Sequence, residues 1–320
     1  MPSSIVRKIA TFGALLASAS AFPLPCAADA SAPYSLPWQL RPAAASTAIR
    51  ADAVFANYDN AAGASGGFTV APTLVASYKI PGTGDGWGGL APLLKLEAVS
   101  DSPPKGTGGF AIVNPLIGAN YVVALPSGFR GGFFLGATIP IGMGGGNTPS
   151  AGVTDARSAG QYARSQMDNA LYAVDDFALI PGLDFAWVGS GFTLQAEATL
   201  FQLWRVQGSG INPATKSAPD PDSTKTNFTS GIHAGYFVIP LLSIGADLRY
   251  QRWIAAPTAI KKAASDFVDN WTMAIGPRLH LPLGGGVKIH PGIAYAMGLD
   301  KPMLSPFDYH IVQLDIPVTF

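Results

Sequence analysis

Phe68-Thr69-Val70-Ala71-Pro72-Thr73-Leu74-Val75-Ala76-Ser77-Tyr78-Lys79-Ile80 is the stretch on which the reading of this chain turns. Phe68, Val70, Pro72, Leu74, Ala76, Tyr78 and Ile80 fall on one face; Thr69, Ala71, Thr73, Val75, Ser77 and Lys79 fall on the other. A period of two belongs to an extended strand, whose successive side chains point to opposite sides. An amphipathic helix would repeat every three to four residues instead. One face is uniformly greasy and the other mixes small, polar and charged groups, so the two faces meet different surroundings.

Working outward, the same pattern recurs in twelve segments, about 47–57, 67–80, 89–99, 110–125, 131–142, 176–188, 191–205, 227–239, 241–252, 270–283, 286–299 and 309–320. In the seventh, Phe192, Leu194, Ala196, Ala198 and Leu200 oppose Thr193, Gln195, Glu197, Thr199 and Arg205. In the eleventh, Val287, Ile289, Ile293, Tyr295, Met297 and Leu299 oppose Lys288, His290, Gly292, Ala294 and Ala296. Charges give a test that does not depend on choosing the apolar face. Two titratable side chains that both avoid lipid must lie an even number of residues apart on one strand. Arg50/Asp52, Lys95/Glu97, Glu197/Arg205, Asp247/Arg249, Arg278/His280 and Lys288/His290 all do, an outcome of roughly 1 in 64 by chance for a period of two. A Lys or Arg on a lipid face at mid-membrane costs about 2–4 kcal/mol, which makes the parity a physical demand.

Composition agrees. Of 320 residues, 20 are basic and 20 acidic, and only 12% are charged against 48% apolar; a soluble globular domain carries about 25% charged residues. Net neutrality removes the basic footprint that nucleic acid requires. With 37 Gly and 27 Pro, a long helical protein is excluded. The single cysteine, Cys26, excludes a disulfide scaffold.

At the N-terminus, Arg7 and Lys8 precede the uncharged run Ile9–Phe22, then Pro23, Pro25 and Cys26-Ala27-Ala28-Asp29-Ala30. A basic start, a short apolar centre and small residues at the cut predict a secretory signal over 1–30, cleaved after Ala28 or Ala30. The Pro-rich stretch 31–46 is expected as a periplasmic N-terminal segment, and 47–320 as the barrel proper. No run reaches about 18 apolar residues, so a membrane could be crossed only by a closed barrel. Connections alternate between short (Gly189-Ser190, Pro240, Gly284-Gly285) and long (Met143 to Asp175, Val206 to Thr226). Aromatics gather at segment ends: Tyr58, Phe68, Phe110, Phe177, Trp204, Phe228, Tyr250, Trp271 and Tyr309 at one rim, Tyr78, Tyr121, Phe133, Trp187, Phe192, Tyr236 and Phe320 at the other. One pattern resists: Pro72, Pro92, Pro115, Pro140, Pro181, Pro277, Pro291 and Pro317 fall inside segments, although Pro removes a ladder donor and belongs at edges or bulges.

The chain ends His310-Ile311-Val312-Gln313-Leu314-Asp315-Ile316-Pro317-Val318-Thr319-Phe320, with Val312, Leu314, Ile316, Val318 and Phe320 alternating to a terminal phenylalanine. This resembles the closing strand of bacterial outer-membrane β-barrel proteins, whose last aromatic residue is read by the barrel-assembly machinery. The resemblance implies an all-β, antiparallel, up-and-down transmembrane barrel of about twelve strands. It also implies a place in the outer membrane of a Gram-negative bacterium, with lipid, the assembly machinery (through Phe320) and small solutes as partners.

The expected lumen-lining set is Arg50, Asp52, Lys79, Lys95, Glu97, Asn120, Asp184, Gln195, Glu197, Arg205, His233, Asp247, Arg249, Gln251, Arg278, His280, Lys288, His290 and Asp315, near neutral in sum. Rings of such charges decide which solutes pass. Eight strands are filled by their own side chains and 16–18 leave a water channel, so twelve predict a narrow conduit. Gly118, Gly136, Gly231, Gly235, Gly245, Gly276, Gly292, Ala274 and Ala294 on inward positions would clear it. The loop after the fifth segment, carrying Gly144–Gly146, Arg157, Arg164 and Asp168, is long enough to fold in and constrict it.

Catalysis is not expected. None of His233, His280, His290 and His310 has a serine two residues on, although neighbouring strands could bring one near. His280 and His290 should face each other across a hairpin, but a metal would want a third ligand. The glycine runs at 144–146 and 284–286 lack the Lys-Ser/Thr of a phosphate loop. No cofactor is expected. The function these features predict is passive diffusion of small solutes through a narrow, mixed-charge lumen. The alternatives are a specific channel for apolar or aromatic compounds, suggested by inward Phe201, Leu203 and Phe237, and a structural or surface-interaction barrel without transport.

Overall fold

The computed structural model describes residues 33–59, 63–64, 66–208, 222–263 and 267–320. The expected signal segment and most of the loop after the seventh strand lie outside the described residues. The wall strands are β1 (Ala48–Tyr58), β2 (Gly67–Ser77), β3 (Gly89–Ser102) and β4, in two pieces (Gly109–Ile112 and Leu116–Ala124). β5 (Phe129–Thr138), β6 (Asp176–Gly189), β7 (Phe192–Arg205), β8 (Thr224–Ile239) and β9 (Leu242–Ala255) follow. β10 (Asp269–Leu279, continued by Leu281–Gly284), β11 (Val287–Ile289, continued by Gly292–Gly298) and β12 (His310–Thr319) complete the set. Each pairs antiparallel with its chain neighbours, and β1 pairs with β12 from Ala48↔Thr319 to Asn57↔His310, closing a 12-strand up-and-down barrel.

Each strand is amphipathic in the expected frame. On β2, Phe68, Pro72 and Leu74 are exposed while Thr69, Ala71 and Thr73 are buried. Outward residues such as Leu183 and Leu194 are 63% and 53% exposed, whereas inward Asp184 and Gln195 are 4% and 1%. A hydrocarbon surround makes that distribution favourable, since the ladders satisfy the backbone and the polar side chains gather on the inside.

Short turns and long loops alternate between the two rims. Ser190 (φ 51°) and Gly191 (φ 79°) form a two-residue hairpin with both central residues left-handed, the turn whose twist matches its flanking strands. The prolines sit where a ladder lapses. The β2–β3 pairing skips from Val70↔Ser100 to Thr73↔Glu97 beside Pro72 with its register unchanged. The β6–β7 pairing likewise skips from Leu179↔Gln202 to Gly182↔Thr199 beside Pro181, and the β10–β11 pairing from Ile275↔Tyr295 to Arg278↔Gly292 beside Pro277. Pro115 and Pro291 fall between the two pieces of β4 and β11. A closed cylinder has no edge strand, so the missing N–H is placed at a local gap instead.

Two of the rim aromatics turn inward. Tyr58 and Tyr309 stack at 5.0 Å; the Tyr58 hydroxyl reaches Asp101 inside the barrel, and Tyr309 is buried against Tyr58, Tyr162 and Phe307. Tyr78, Tyr121, Phe133, Phe68, Phe110, Phe177, Trp204 and Trp271 stay exposed near the strand ends.

Candidate functional site

The lumen is occupied from both ends. Residues 33–46 run inside the barrel rather than beyond its rim, at the end where the short turns lie; Ala45 donates its N–H to Trp87 O in the β2–β3 turn. Trp38 is 1% exposed, its N–H on Asp247 Oδ2 at 3.1 Å, its carbonyl accepting from Gln313 Nε2 at 3.3 Å and its ring under the Arg278 guanidinium at 4.3 Å. Tyr34 donates its hydroxyl to Gln195 and lies beneath Arg130. Arg41 bonds Asp184 Oδ2 at 3.0 Å and stacks on Phe134 at 4.4 Å, while its N–H reaches Glu197 Oε2 at 2.6 Å. Burial alone would lower the Arg41 pKa, but Asp184 and Glu197 outweigh it and hold the guanidinium above its ordinary value. Three of the inward glycines, Gly231, Gly235 and Gly292, clear room for this segment. A Cβ on Gly231 would come within 2.4 Å of Leu40, and one on Gly292 within 2.7 Å of Trp38.

From the long-loop rim, the connection between β5 and β6 folds in, carrying α1 (Ala151–Ala163) and α2 (Asn169–Tyr172). α1 buries Ala156, Ala159, Gly160 and Ala163 toward the wall, a small-residue face that allows close approach. Arg164 then contacts Asp52, lies 3.0 Å from Asp168 and 3.8 Å from Glu97. Lys95 holds Asp168 at 2.5 Å, and the Tyr172 hydroxyl donates to Glu97. Burial pushes the Asp168 carboxyl up, yet Lys95 and Arg164 beside it prevail and hold it below its usual range. Arg249 on β9 joins both insertions, bonding Gln39 at 2.9 Å and Ser165 at 3.2 Å.

Most of the residues singled out from sequence meet in these networks. Arg50 pairs with Asp315 at 2.8 Å, and Asp315 with Arg278 at 2.6 Å. His280 and His290 face each other with Nδ1 atoms 2.9 Å apart. Lys79 lies past the end of β2, donating to Gly86 O within a turn, and Lys288 stands exposed beside the Gly284–Gly286 turn. Arg205 ends β7 opposite Asp176. Sequence reasoning missed Tyr34, Trp38 and Arg41, because an irregular Pro-rich stretch carries no period by which to place a side chain.

It also missed two serine contacts made between neighbours in space. Ser243 Oγ is 2.8 Å from His280 Nε2; Ser35 Oγ is 3.3 Å from His233 Nε2, whose Nδ1 meets Asp247 at 2.7 Å. The Ser35–His233–Asp247 order is that of a nucleophile, base and orienting acid. All three are essentially sealed from solvent, and Asp247 is shared with Trp38 and Arg249, so the relay ties the N-terminal segment to the wall. Among the described residues no three metal-ligating side chains converge.

Between the two insertions lies a cavity of about 190 Å³. Its floor is Leu36 to Ser46, its roof Arg164, Met167, Asp168 and Leu171, and its sides include Leu93, Leu116, Asn120, Phe134, Ile180 and Phe201.

No protein-family model matches the chain, and no curated protein matches its sequence. Solved structures do match in fold. An outer membrane channel from Pseudomonas putida F1 aligns over 90% of this chain and 97% of its own at TM-score 0.51 and 10% identity. The β domain of the Bordetella autotransporter BrkA covers 86% and 99% at TM-score 0.49 and 11% identity, and the KdgM porin 84% and 99% at 0.42 and 8%. Greasy outward faces and a hydrogen-bonded seam give the chain the closed-barrel fold that it shares with the Pseudomonas putida outer membrane channel.

Proposed function

We propose that this chain is an outer-membrane channel through which small solutes diffuse passively along a narrow lumen lined by charges of both signs, held shut at rest by its own N-terminal segment. The observation that carries this reading is the cavity: water-sized space persists inside the wall, between two insertions held there by non-covalent contacts. A barrel serving as a scaffold would not need its interior built this way. Of the two insertions, residues 33–46 are the movable one. If export removes residues 1–30, they are a free end joined to the wall only through Thr47, whereas the β5–β6 loop is anchored on both sides.

Planar-bilayer conductance of refolded protein tests the reading. Deletion of 33–46 is expected to raise the mean current several-fold over the intact mature chain. Equal, negligible currents from both, with heat-modifiable folding intact, would overturn transport and leave a surface-interaction barrel. The second reading, a channel selective for apolar or aromatic compounds, draws on the cluster of Leu116, Phe134, Ile180 and Phe201 beside the cavity. Phe320 is the residue we propose the assembly machinery reads, a reading that its 60% exposure supports.

A further inference from the structure

We infer that the cavity between the N-terminal segment and the inward loop binds a neutral amphiphile, a compact apolar body bearing one hydroxyl or amide, and rejects ions of either sign. This deepens the channel reading, since a molecule held there would be a solute in transit.

Size sets the first limit. A dry cavity of about 150 Å³ accommodates benzene, so about 190 Å³ suits roughly six to ten non-hydrogen atoms. Lining chemistry sets the second. Leu93, Leu116, Phe134, Leu171, Ile180 and Phe201 supply a broad apolar flank. Small-molecule sites are mostly apolar, with a few polar groups fixing orientation.

Charge closure sets the third, and it separates this cavity from an ion path. Every charge on its surface is already engaged, all but Glu197 by a counter-charge and Glu197 by the Arg41 main-chain N–H. Arg41 is held by Asp184 at 3.0 Å, Arg50 by Asp315 at 2.8 Å, and Lys95 by Asp168 at 2.5 Å. Arg164 lies between Asp52 and Asp168, and Glu197 accepts from the Arg41 amide at 2.6 Å. An anion or cation entering would shed hydration for a mostly apolar space and could gain a direct counter-charge only by breaking one of these pairs, which is unfavourable. Two neutral side chains, by contrast, keep an unmade hydrogen bond. Asn120 donates Nδ2 to Pro42 O at 3.2 Å, which leaves its Oδ1 without a donor; Gln39 accepts from Arg249 at 2.9 Å, which leaves its Nε2 without an acceptor. A hydroxyl or amide matches both deficits, because it donates and accepts.

The test uses four probes of one size: benzyl alcohol, toluene, benzoate and benzylammonium. Their binding to the full mature chain in lipid nanodiscs is measured by calorimetry, with empty nanodiscs subtracted for partitioning. Saturable binding of about one benzyl alcohol per barrel is expected, on the order of tenfold or more tighter than benzoate or benzylammonium. Asn120→Leu is expected to shrink the preference for benzyl alcohol over toluene, and Ala91→Leu, which fills the cavity from β3, to weaken both. The variants are independent, so one that fails to fold leaves the other to decide. Absence of saturable binding, or an ion bound as tightly as the alcohol, overturns the proposal. Conductance of the 33–46 deletion keeps the two ideas apart: current without alcohol binding removes the site, and alcohol binding without current removes the channel.

Discussion

Arg41 shows how one side chain can hold a segment in place. It is the one charged residue of the Pro-rich stretch 33–46, and in the lumen it satisfies Asp184 and, through its own backbone, Glu197. Truncating one partner of a buried ion pair costs about 3–5 kcal/mol, because the remaining charge stays buried and unmatched. Arg41→Gln is therefore expected to unseat the N-terminal segment and move single-channel current toward that of the 33–46 deletion, with a lower urea midpoint for the intact protein. A current and midpoint like those of the parent chain would show that Trp38 and Tyr34 suffice. Much of this scale was legible beforehand: even spacing put Arg50 and Asp52, or Asp247 and Arg249, on one inward face, and each is buried or half-buried there. The partner of Arg41 was not legible. Spacing within a strand fixes which way a residue points, but nothing along the chain says which irregular segment will meet it.

At the scale of elements, the two insertions differ in how the sequence announces them. The β5–β6 loop is long and Ala/Gly-rich, and its length alone predicts that it can enter the lumen. The 33–46 segment has neither helical nor strand period, and its hydrogen bonds run to side chains of the wall rather than to a ladder, as with Ser35 N–H on Thr193 Oγ1 at 2.9 Å. A covalent lock follows from that geometry. Ser35 Oγ lies 3.5 Å from Ser243 Oγ, and the mature chain is expected to contain no cysteine. Ser35→Cys with Ser243→Cys is expected to hold the current at its resting level under oxidation and to release it on reduction. Current that ignores the redox state would mean that solutes pass without this segment moving. Hairpin geometry, by contrast, was fully legible: the turn at Gly284–Gly286 sets His280 opposite His290. The breaks in β4, β10 and β11 were only half legible, since a proline announces a gap without saying which neighbour loses its bond.

For the whole molecule, the parity of charges is a statement about the solvent on each side of the wall. Ile232, in the middle of β8, is 50% exposed on the outer face, while its neighbour His233 is fully buried. Ile232→Arg is expected to cost about 2–4 kcal/mol of folding free energy in lipid vesicles. An unchanged urea midpoint would argue that this face does not meet hydrocarbon. Closure of the cylinder was legible from the even strand number and the alternation of turns with loops; its filled interior was not, because small inward residues look the same whether they make room for water or for protein. The seat of Trp38 draws on four successive strands, through Asp247 and Gly245 of β9, Arg278 of β10, Gly292 of β11 and Gln313 of β12. That seat is complete only once the final strand has docked. The tryptophan therefore reports on closure: a barrel whose last strand is mispaired would hold it by three walls instead of four.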